Sequence, residues 1–259
     1  MSGSLLVARE GGIVRLTMNR PQRLNALTAE LLDALTEAID EAARDDEARV
    51  VLVCGAGRAF CAGQDLGEDV VAPGGDLGAH VARHYKPLVL AIRRIGKPVV
   101  ARVNGVAAGA GANLAFACDI VLAARSAQFI ESFARIGLLP DTAGTWMLPR
   151  LIGHARATAV AMLGTPLSAQ QAYEWGAIWR VVEDEALDAQ CDELAAALAK
   201  APTKALGAVK RALSEGWTNE IAAQLDLETD LQRALGASND FREGVDAFSN
   251  KREPVFRGE

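Results

Sequence analysis

The hydrophobic positions of this chain change their pattern along its length. "LLVAREGGIVRLTMN" holds two short β-like runs around Gly11 and Gly12, which predicts a hairpin. In "TAELLDALTEAIDEAARDD", Leu31, Leu32, Leu35, Ile39 and Ala42 fall on one helical stripe, with Thr28 at the N-cap and Glu30 in the first turn. Continuous apolar runs ended by glycine or small residues follow in "ARVVLVCGAG", "KPVVARVNG" and "CDIVLAA". Runs of that kind with a helix between them predict right-handed βαβ units around a buried sheet. "APGGDLGAH", residues 72–80, reads as a mobile loop.

After about residue 150 the strand signal is confined to "AIWRVV" at 177–182. "SAQQAYEWG" carries a capping box, Ser168 with Gln171, and closes at Gly176. Helical patterns then start at Pro202, near Asn219 and at Asp240, the last with Phe241, Val245 and Phe248 on one face. The predicted fold class is therefore α/β: a sheet-rich core over residues 1–200 and a helical C-terminal region over 201–259.

Composition narrows the chemistry. Half of the 259 residues are hydrophobic, enough for one large core, and the net charge of −6 with scattered basic residues leaves no footprint for nucleic acid. Cys54, Cys61, Cys118 and Cys191 lack C-x-x-C spacing and a matching histidine cluster, so they read as reduced structural thiols rather than disulfides or metal ligands. "MSGSLLVARE" has no long apolar core and no run reaches the length of a membrane span, so a cytoplasmic protein with no membrane partner is expected.

Two glycine-rich turns, "GRAFCAGQDLGE" and "VNGVAAGAGANLAFACD", follow strands, and the second leads into a helix. Small residues let main chain approach a ligand, and a helix N-terminus offers unpaired N–H groups, which suits an anion. The second turn has no lysine, serine or threonine in Walker positions, and Asp119 comes too early to be a ribose acid. An oxyanion hole made of two main-chain N–H groups fits better. "GLLPDTAGTWMLPR" raises a separate question. Asp141 is either a loop residue that starts a helix or a functional acid, and the local sequence allows both.

"NRPQRLNALT", "GRAFCAGQDL", "KPVVARVNGVAAGAGANLAFACDIVLAA", "GLLPDTAGTWMLPRLIG" and "LSAQQAYEWGAI" resemble, in order and spacing, the landmarks of the crotonase superfamily. The likeness spans nearly the whole chain. It implies a crotonase-like ββα spiral with a helical C-terminal trimerisation region, a homotrimer or dimer of trimers, and an acyl-CoA thioester as substrate. No metal or separate cofactor is implied, coenzyme A being part of the substrate. The oxyanion donors implied by position are the main-chain N–H groups of Gln64 and Ala110. The resemblance further implies CoA contacts around Arg23, Leu24, Ala26, Ala62, Asp65 and Leu66, with Lys251 of the same or a neighbouring subunit near a phosphate.

Hydratases of that superfamily use two glutamates, and here Asn113 and Phe133 stand at those positions. Neither exchanges a proton as a carboxylate does. Glu131, two residues before Phe133, is a distant substitute that could share its face on an extended segment. Asp141, among Leu138, Leu139, Pro140, Trp146 and Met147, then becomes the expected base, its pKa raised by burial. "PDTAGTWMLPR", "LSAQQAYEWGAIWRVV", "QLDLETDLQR" and "DFREGVDAFSNKREPVF" are similar to the ring-1,2-epoxyphenylacetyl-CoA isomerase branch, which implies proton removal alpha to the thioester and rearrangement to an oxepin. A double-bond isomerase acting on enoyl-CoA esters would use the same groups. The alternatives are an aryl-CoA hydrolase or dehalogenase, with Asp141 as nucleophile and His84 as partner, and a non-catalytic CoA-binding protein. His80 and His154 read as surface or satisfied core residues.

Overall fold

Apolar runs become the strands of one sheet in the computed structural model, which describes residues 3–72 and 74–259. The strands are β1 (Leu5–Glu10), β2 (Ile13–Met18), β3 (Val50–Gly55), β4 (Ala59–Cys61), β5 (Val99–Val103), β6 (Val106–Ala108), β7 (Ile120–Ala124), β8 (Gln128–Ile130), β9 (Leu167–Ser168) and β10 (Arg180–Val182). The first six-stranded sheet runs β1-β2-β3-β5-β7-β10, parallel except for the β1–β2 hairpin, and the second, four-stranded, runs β4-β6-β8-β9. Successive pairs β3/β4, β5/β6 and β7/β8 each give one strand to either sheet, which is the turn of a ββα spiral. All six residues of β3 are buried, as expected for a parallel strand covered on both faces.

The helices are α1 (Ala29–Arg44), α2 (Leu77–His80), α3 (Lys86–Arg94), α4 (Ala110–Ala117), α5 (Gly144–Ile152), α6 (His154–Leu163), α7 (Ala169–Glu174), α8 (Leu187–Lys200), α9 (Thr203–Glu215), α10 (Ile221–Gly236) and α11 (Asn239–Ser249). Thr28 caps α1 through Leu31 N–H, and the expected stripe of α1 is buried. Ser168 and Gln171 form the expected capping box. Two expectations need correction. The 72–80 segment is a loop only at its start: Asp76 caps α2 through Ala79 N–H, and α2 continues through a π-helical turn, Val81–Tyr85, into α3. Pro73 lies outside the described residues. The 177–182 strand shrinks to β10, because Ala177 and Ile178 are still turning back from α7 by bonding to the Ala172 carbonyl. Helix α8 was not read as one from sequence, although it buries Leu187, Cys191, Ala195 and Ala199.

The C-terminal helices meet the core at a few polar anchors. Lys210 Nζ of α9 donates to Asp119 Oδ2 at 2.7 Å and to the Ile92 carbonyl at 2.6 Å. Burial pushes the Asp119 pKa up and the Lys210 pKa down, each opposed by the other's charge. Beyond this anchor α10 has no buried residue, and α11 buries only Asp240 and Ala247. All four cysteines are buried and unpaired. No helix among the described residues is long and apolar enough to cross a membrane.

Candidate active site

The site is built where three loops meet the N-terminus of α4. Gly109, at φ 52° and ψ −126°, turns the chain out of β6 so that α4 begins at Ala110. Helix α4 is buried along its whole length, and the N–H groups of its first two residues, Ala110 and Gly111, have no hydrogen-bond partner among the described residues. Alongside it, Gly63 has φ 87°, and a β-carbon there would lie 2.7 Å from the Ala108 carbonyl oxygen and 3.5 Å from Ala110 N. Only glycine allows that approach. Leu27 bonds to the flanking residues, taking the Gly63 carbonyl at 2.7 Å and Asp65 N–H at 2.8 Å. The Gln64 N–H therefore turns the other way, and neither it nor the Ala110 N–H has a hydrogen-bond partner among the described residues. Both donors lie on the two segments that Gly63 brings together.

The Gln64 side chain is held separately. Its Oε1 accepts from Tyr85 OH at 2.7 Å and faces His80 Nε2 at 3.0 Å, while its Nε2 donates to Glu68 at 3.1 Å. With Oε1 as acceptor, His80 Nε2 carries the proton. Burial lowers the His80 pKa, which favours this neutral ring. The π-helical turn supplies Tyr85 and sets its spacing from His80, a contribution hidden from sequence because no residue pattern marks such a turn. His84 faces elsewhere, its Nδ1 2.6 Å from Asp33 Oδ1.

Asp141 enters from the loop before α5. It caps nothing: the N-cap of α5 is Ala143, without a side-chain bond to the helix. Thr142 and Ala143 both lie in the left-handed region, at φ 51° and 63°, so this loop is held in a conformation that non-glycine residues resist. Burial raises the Asp141 pKa, a hydrogen bond from Thr142 Oγ1 at 2.8 Å opposing it. The expected apolar surroundings are partly wrong. Leu138 and Leu139 are exposed, the latter at 70%, because the chain turns at Gly137; Pro140 and Met147 are the buried neighbours in sequence. Asp141 is close enough to Tyr85 for its charge to add to the burial that raises the phenol pKa.

Asn113, one turn beyond Ala110 on α4, ties these parts together. Its Nδ2 donates to the Asp141 carbonyl at 3.0 Å and to Glu131 Oε2 at 3.3 Å. The expectation that Glu131 could share the face of Phe133 on an extended segment needs correction. The backbone leaves the extended region at Ser132, where ψ is 2°, and Phe133 opens a 3-10 turn. The Phe133 ring lies 3.6 Å from where a β-carbon on Gly109 would be, while Glu131 meets Asn113. Sequence reasoning missed this placement, and its only signal was an acid inside the apolar run "FIESF".

The residues expected to hold CoA gather in part. The Leu24 carbonyl accepts from Ala62 N–H at 2.9 Å, Leu24 and Asn25 have positive φ, and Arg20 reaches Asp65 at 2.7 Å. Gly67 N–H and Arg20 hold the Asp65 carboxyl below its usual range. Ala26 is buried, whereas Arg23 and Leu66 are exposed beside this wall. Lys251 is not brought to the site: it is exposed after α11, and its side chain has no hydrogen bond among the described residues. A groove of about 390 Å³ lined by Ala29, Gly67, Glu68, Asp69, Val70 and His80 adjoins Gln64, and a larger one of about 1000 Å³ lies away from Asp141 between α3, α9 and α10.

A ββα spiral with free main-chain donors at a buried helix N-terminus defines a class, and the comparisons agree with it. The chain belongs to the enoyl-CoA hydratase/isomerase family, whose model matches residues 8–259, that is, to the crotonase superfamily. It is 52% identical over 252 residues to 1,2-epoxyphenylacetyl-CoA isomerase of Escherichia coli strain K12, covering 96% of each chain. It is 35% identical to trans-2-decenoyl-[acyl-carrier-protein] isomerase of Streptococcus mutans, again over 96% of each. Among solved structures, enoyl-CoA hydratase from Bacillus anthracis superposes with a TM-score of 0.94 at 31% identity, covering 99% of this chain and 100% of that one. The chain is an enzyme of the isomerase type within this family.

Proposed function

We propose that this enzyme isomerises an acyl-CoA by taking a proton alpha to the thioester and holding the enolate in an oxyanion hole. The observation that carries the reading is the desolvated carboxyl of Asp141, on a residue whose main-chain carbonyl is tied by Asn113 to the helix that begins with the unpaired Ala110 N–H. Asp141 takes the alpha proton, and the electron pair moves onto the thioester oxygen between the Gln64 and Ala110 N–H groups. Preorganised donors of this kind are each worth about 3–4 kcal/mol in the transition state. The likeness to the E. coli isomerase favours ring-1,2-epoxyphenylacetyl-CoA as substrate and oxepin-CoA as product, in phenylacetate catabolism. The enolate drives rearrangement of the epoxide, and the proton returns from Asp141. Substrate and product have the same atoms and electrons, so the step consumes no redox carrier.

The same machinery moves a double bond in a 3-enoyl-CoA. Hydration of 2-enoyl-CoA is disfavoured, since Asn113 and Phe133 occupy the positions of both hydratase carboxylates. The hydrolase or dehalogenase reading is less well supported because His84 is engaged with Asp33. In the proposed assembly, a cytoplasmic homotrimer or dimer of trimers, the exposed faces of α9–α11 pack against copies of the chain. CoA lies along Arg23, Leu24, Ala26, Ala62, Asp65 and Leu66, with Lys251 reaching a phosphate from a neighbouring subunit.

The test incubates the enzyme with epoxyphenylacetyl-CoA, 3-hexenoyl-CoA and crotonyl-CoA in deuterated water, followed by mass spectrometry. Alpha-deuterated oxepin-CoA and slow crotonyl-CoA hydration are expected. Absence of both alpha exchange and isomerised product with all of them would overturn the proposed mechanism and favour the reading of a non-catalytic CoA-binding protein. Single turnover in oxygen-18 water that labels the Asp141 carboxylate would establish the nucleophile instead.

A further inference from the structure

The mechanism above leaves one buried ionisable group beside the base without a task. Glu131 is 1% exposed. Its Oε2 faces Asn113 Nδ2, and its Oε1 has no hydrogen-bond partner among the described residues, nor has Asn113 Oδ1. The orientation of Asn113 is fixed by chemistry: the atom 3.0 Å from the Asp141 carbonyl must be the donor nitrogen, so the same NH₂ group serves Glu131. Asn113 has nothing else to lean on at that end. The main chain it supports is the strained segment in which Thr142 and Ala143 follow Asp141 with positive φ. A carboxyl group kept in so dry a place, with half its bonding capacity unused, needs a reason other than stability.

Resting on the isomerase reading, we propose that Glu131 is a positioning residue: through the Asn113 carboxamide it fixes the main chain that carries Asp141. It acts as the neutral acid. Burial pushes its pKa up to about 8, the Asn113 bond opposes this, and the charge of Asp141 adds to it. Tyr85 on the π-helical turn, near enough to Asp141 to feel its charge, has a phenol that stays protonated, and Arg135 lies on the 3-10 turn. Arg135 flanks the main chain of Glu131 near Gly164 and not its carboxyl. Ionised Glu131 would draw the shared NH₂ group toward itself and add a second negative charge where the enolate forms. Both effects lower turnover and leave CoA binding largely unchanged.

The experiment measures alpha-deuterium exchange into 3-hexenoyl-CoA by wild type, Glu131→Gln, Glu131→Ala and Asp141→Asn from about pH 6 to about pH 9, a range that brackets the titration. Wild-type kcat is expected to fall about tenfold between about pH 7 and about pH 9, as a neutral acid of this pKa requires, with KM nearly constant. Glu131→Gln, which keeps an acceptor for Asn113 and cannot ionise, should retain neutral-pH activity within about threefold and lose the alkaline fall. Glu131→Ala should lose more than about tenfold in kcat at pH 7, with KM little changed. An alkaline limb that persists in Glu131→Gln, or wild-type kcat in Glu131→Ala, would overturn the proposal. Unchanged exchange in Asp141→Asn would instead overturn the isomerase reading on which it rests, so the two failures are distinguishable.

Discussion

The slot around α4 and the helices after residue 203 leave opposite kinds of group unsatisfied. In the slot, polar groups lack partners among the described residues: the Gln64 and Ala110 N–H groups and the buried Asn113 Oδ1 and Glu131 Oε1. In the C-terminal helices apolar groups stand in water, with Ile221 and Phe248 exposed at 73% and 87% and Leu213, Leu225, Phe241 and Val245 also exposed. Each arrangement is costly for the isolated chain. On the proposed function, a ligand oxygen would satisfy the two N–H donors, and a second copy of the chain would cover the apolar stripe. The contrast thus predicts two classes of mutation, one that removes chemistry without disturbing assembly and one that does the reverse.

Asp141→Asn tests the slot with the largest effect. Turnover should drop by roughly 10² to 10⁴, or about 3–5 kcal/mol of transition-state stabilisation, while melting temperature and acyl-CoA affinity hold. The amide keeps size and accepts the Thr142 bond, and no helix N–H depends on this side chain. Retention of more than about a tenth of the activity would make Asp141 a loop residue, against the usual weight of a base.

Glu131 carries the next prediction, in stability and its pH dependence. Its pKa is about 8 in the folded chain against 4.5 for the free group. A carboxyl raised on folding contributes fully below pH 4.5, and that contribution is lost as pH rises toward 8, because the unfolded chain releases the proton first. Glu131→Gln should therefore be more stable than wild type at pH 9, by an amount on the order of 3–5 kcal/mol, and nearly equal to it at pH 4. Urea titrations at the two pH values measure the difference. A gap that does not grow with pH would mean that Glu131 is ionised in the folded protein.

Val245→Asp with Phe248→Asp tests the other region. Both side chains project from one face of α11, and covering a carboxylate with apolar surface is unfavourable, so self-association should weaken by at least about 2–3 kcal/mol, roughly a hundredfold in Kd. Light scattering at micromolar concentration would register a smaller species with the core's circular dichroism intact. Unchanged association would place the interface elsewhere.

Legibility followed the same division. Val50–Gly55, Val99–Val103 and Ile120–Ala124 could be read as buried strands because parallel strands covered on both faces need continuous apolar runs. Strands β4, β6 and β8 have three residues each, too few for any period, and β4 and β6 sit inside glycine turns that suggested loops. The glycine turns and Asp141 were visible as motifs, but the partnership of Asn113 with Glu131 depends on a turn at Ser132 that no pattern specifies. Gln64 was identified for its main-chain N–H, whereas its side-chain network needs the π-helical turn. Leu138 and Leu139 misled because hydrophobicity alone does not reveal that the chain reverses at Gly137.

The smallest effect gives the sharpest form of the contrast, because the same bond can be removed from both regions. Thr28 Oγ1 accepts from Leu31 N–H at 3.2 Å at the start of α1, and Ser238 Oγ accepts from Phe241 N–H at 3.0 Å at the start of α11. Either residue changed to alanine loses about 1 kcal/mol of helix stability. Helix α1 buries a full stripe in the core, so Thr28→Ala should lower the global melting temperature by about 2–4 °C whatever the state of association. Helix α11 buries only two residues in its own chain, so the loss in Ser238→Ala should appear chiefly as a roughly fivefold weaker association. In the Val245→Asp, Phe248→Asp background, where assembly is already lost, Ser238→Ala should then leave the melting temperature within about 1 °C, since fraying of an unpartnered helix does not reach the core. If it instead lowers the melting temperature as much as Thr28→Ala does, α11 unfolds with the core as one cooperative unit. Its exposed apolar face would then belong to a folded monomer and not to an interface waiting for a second copy.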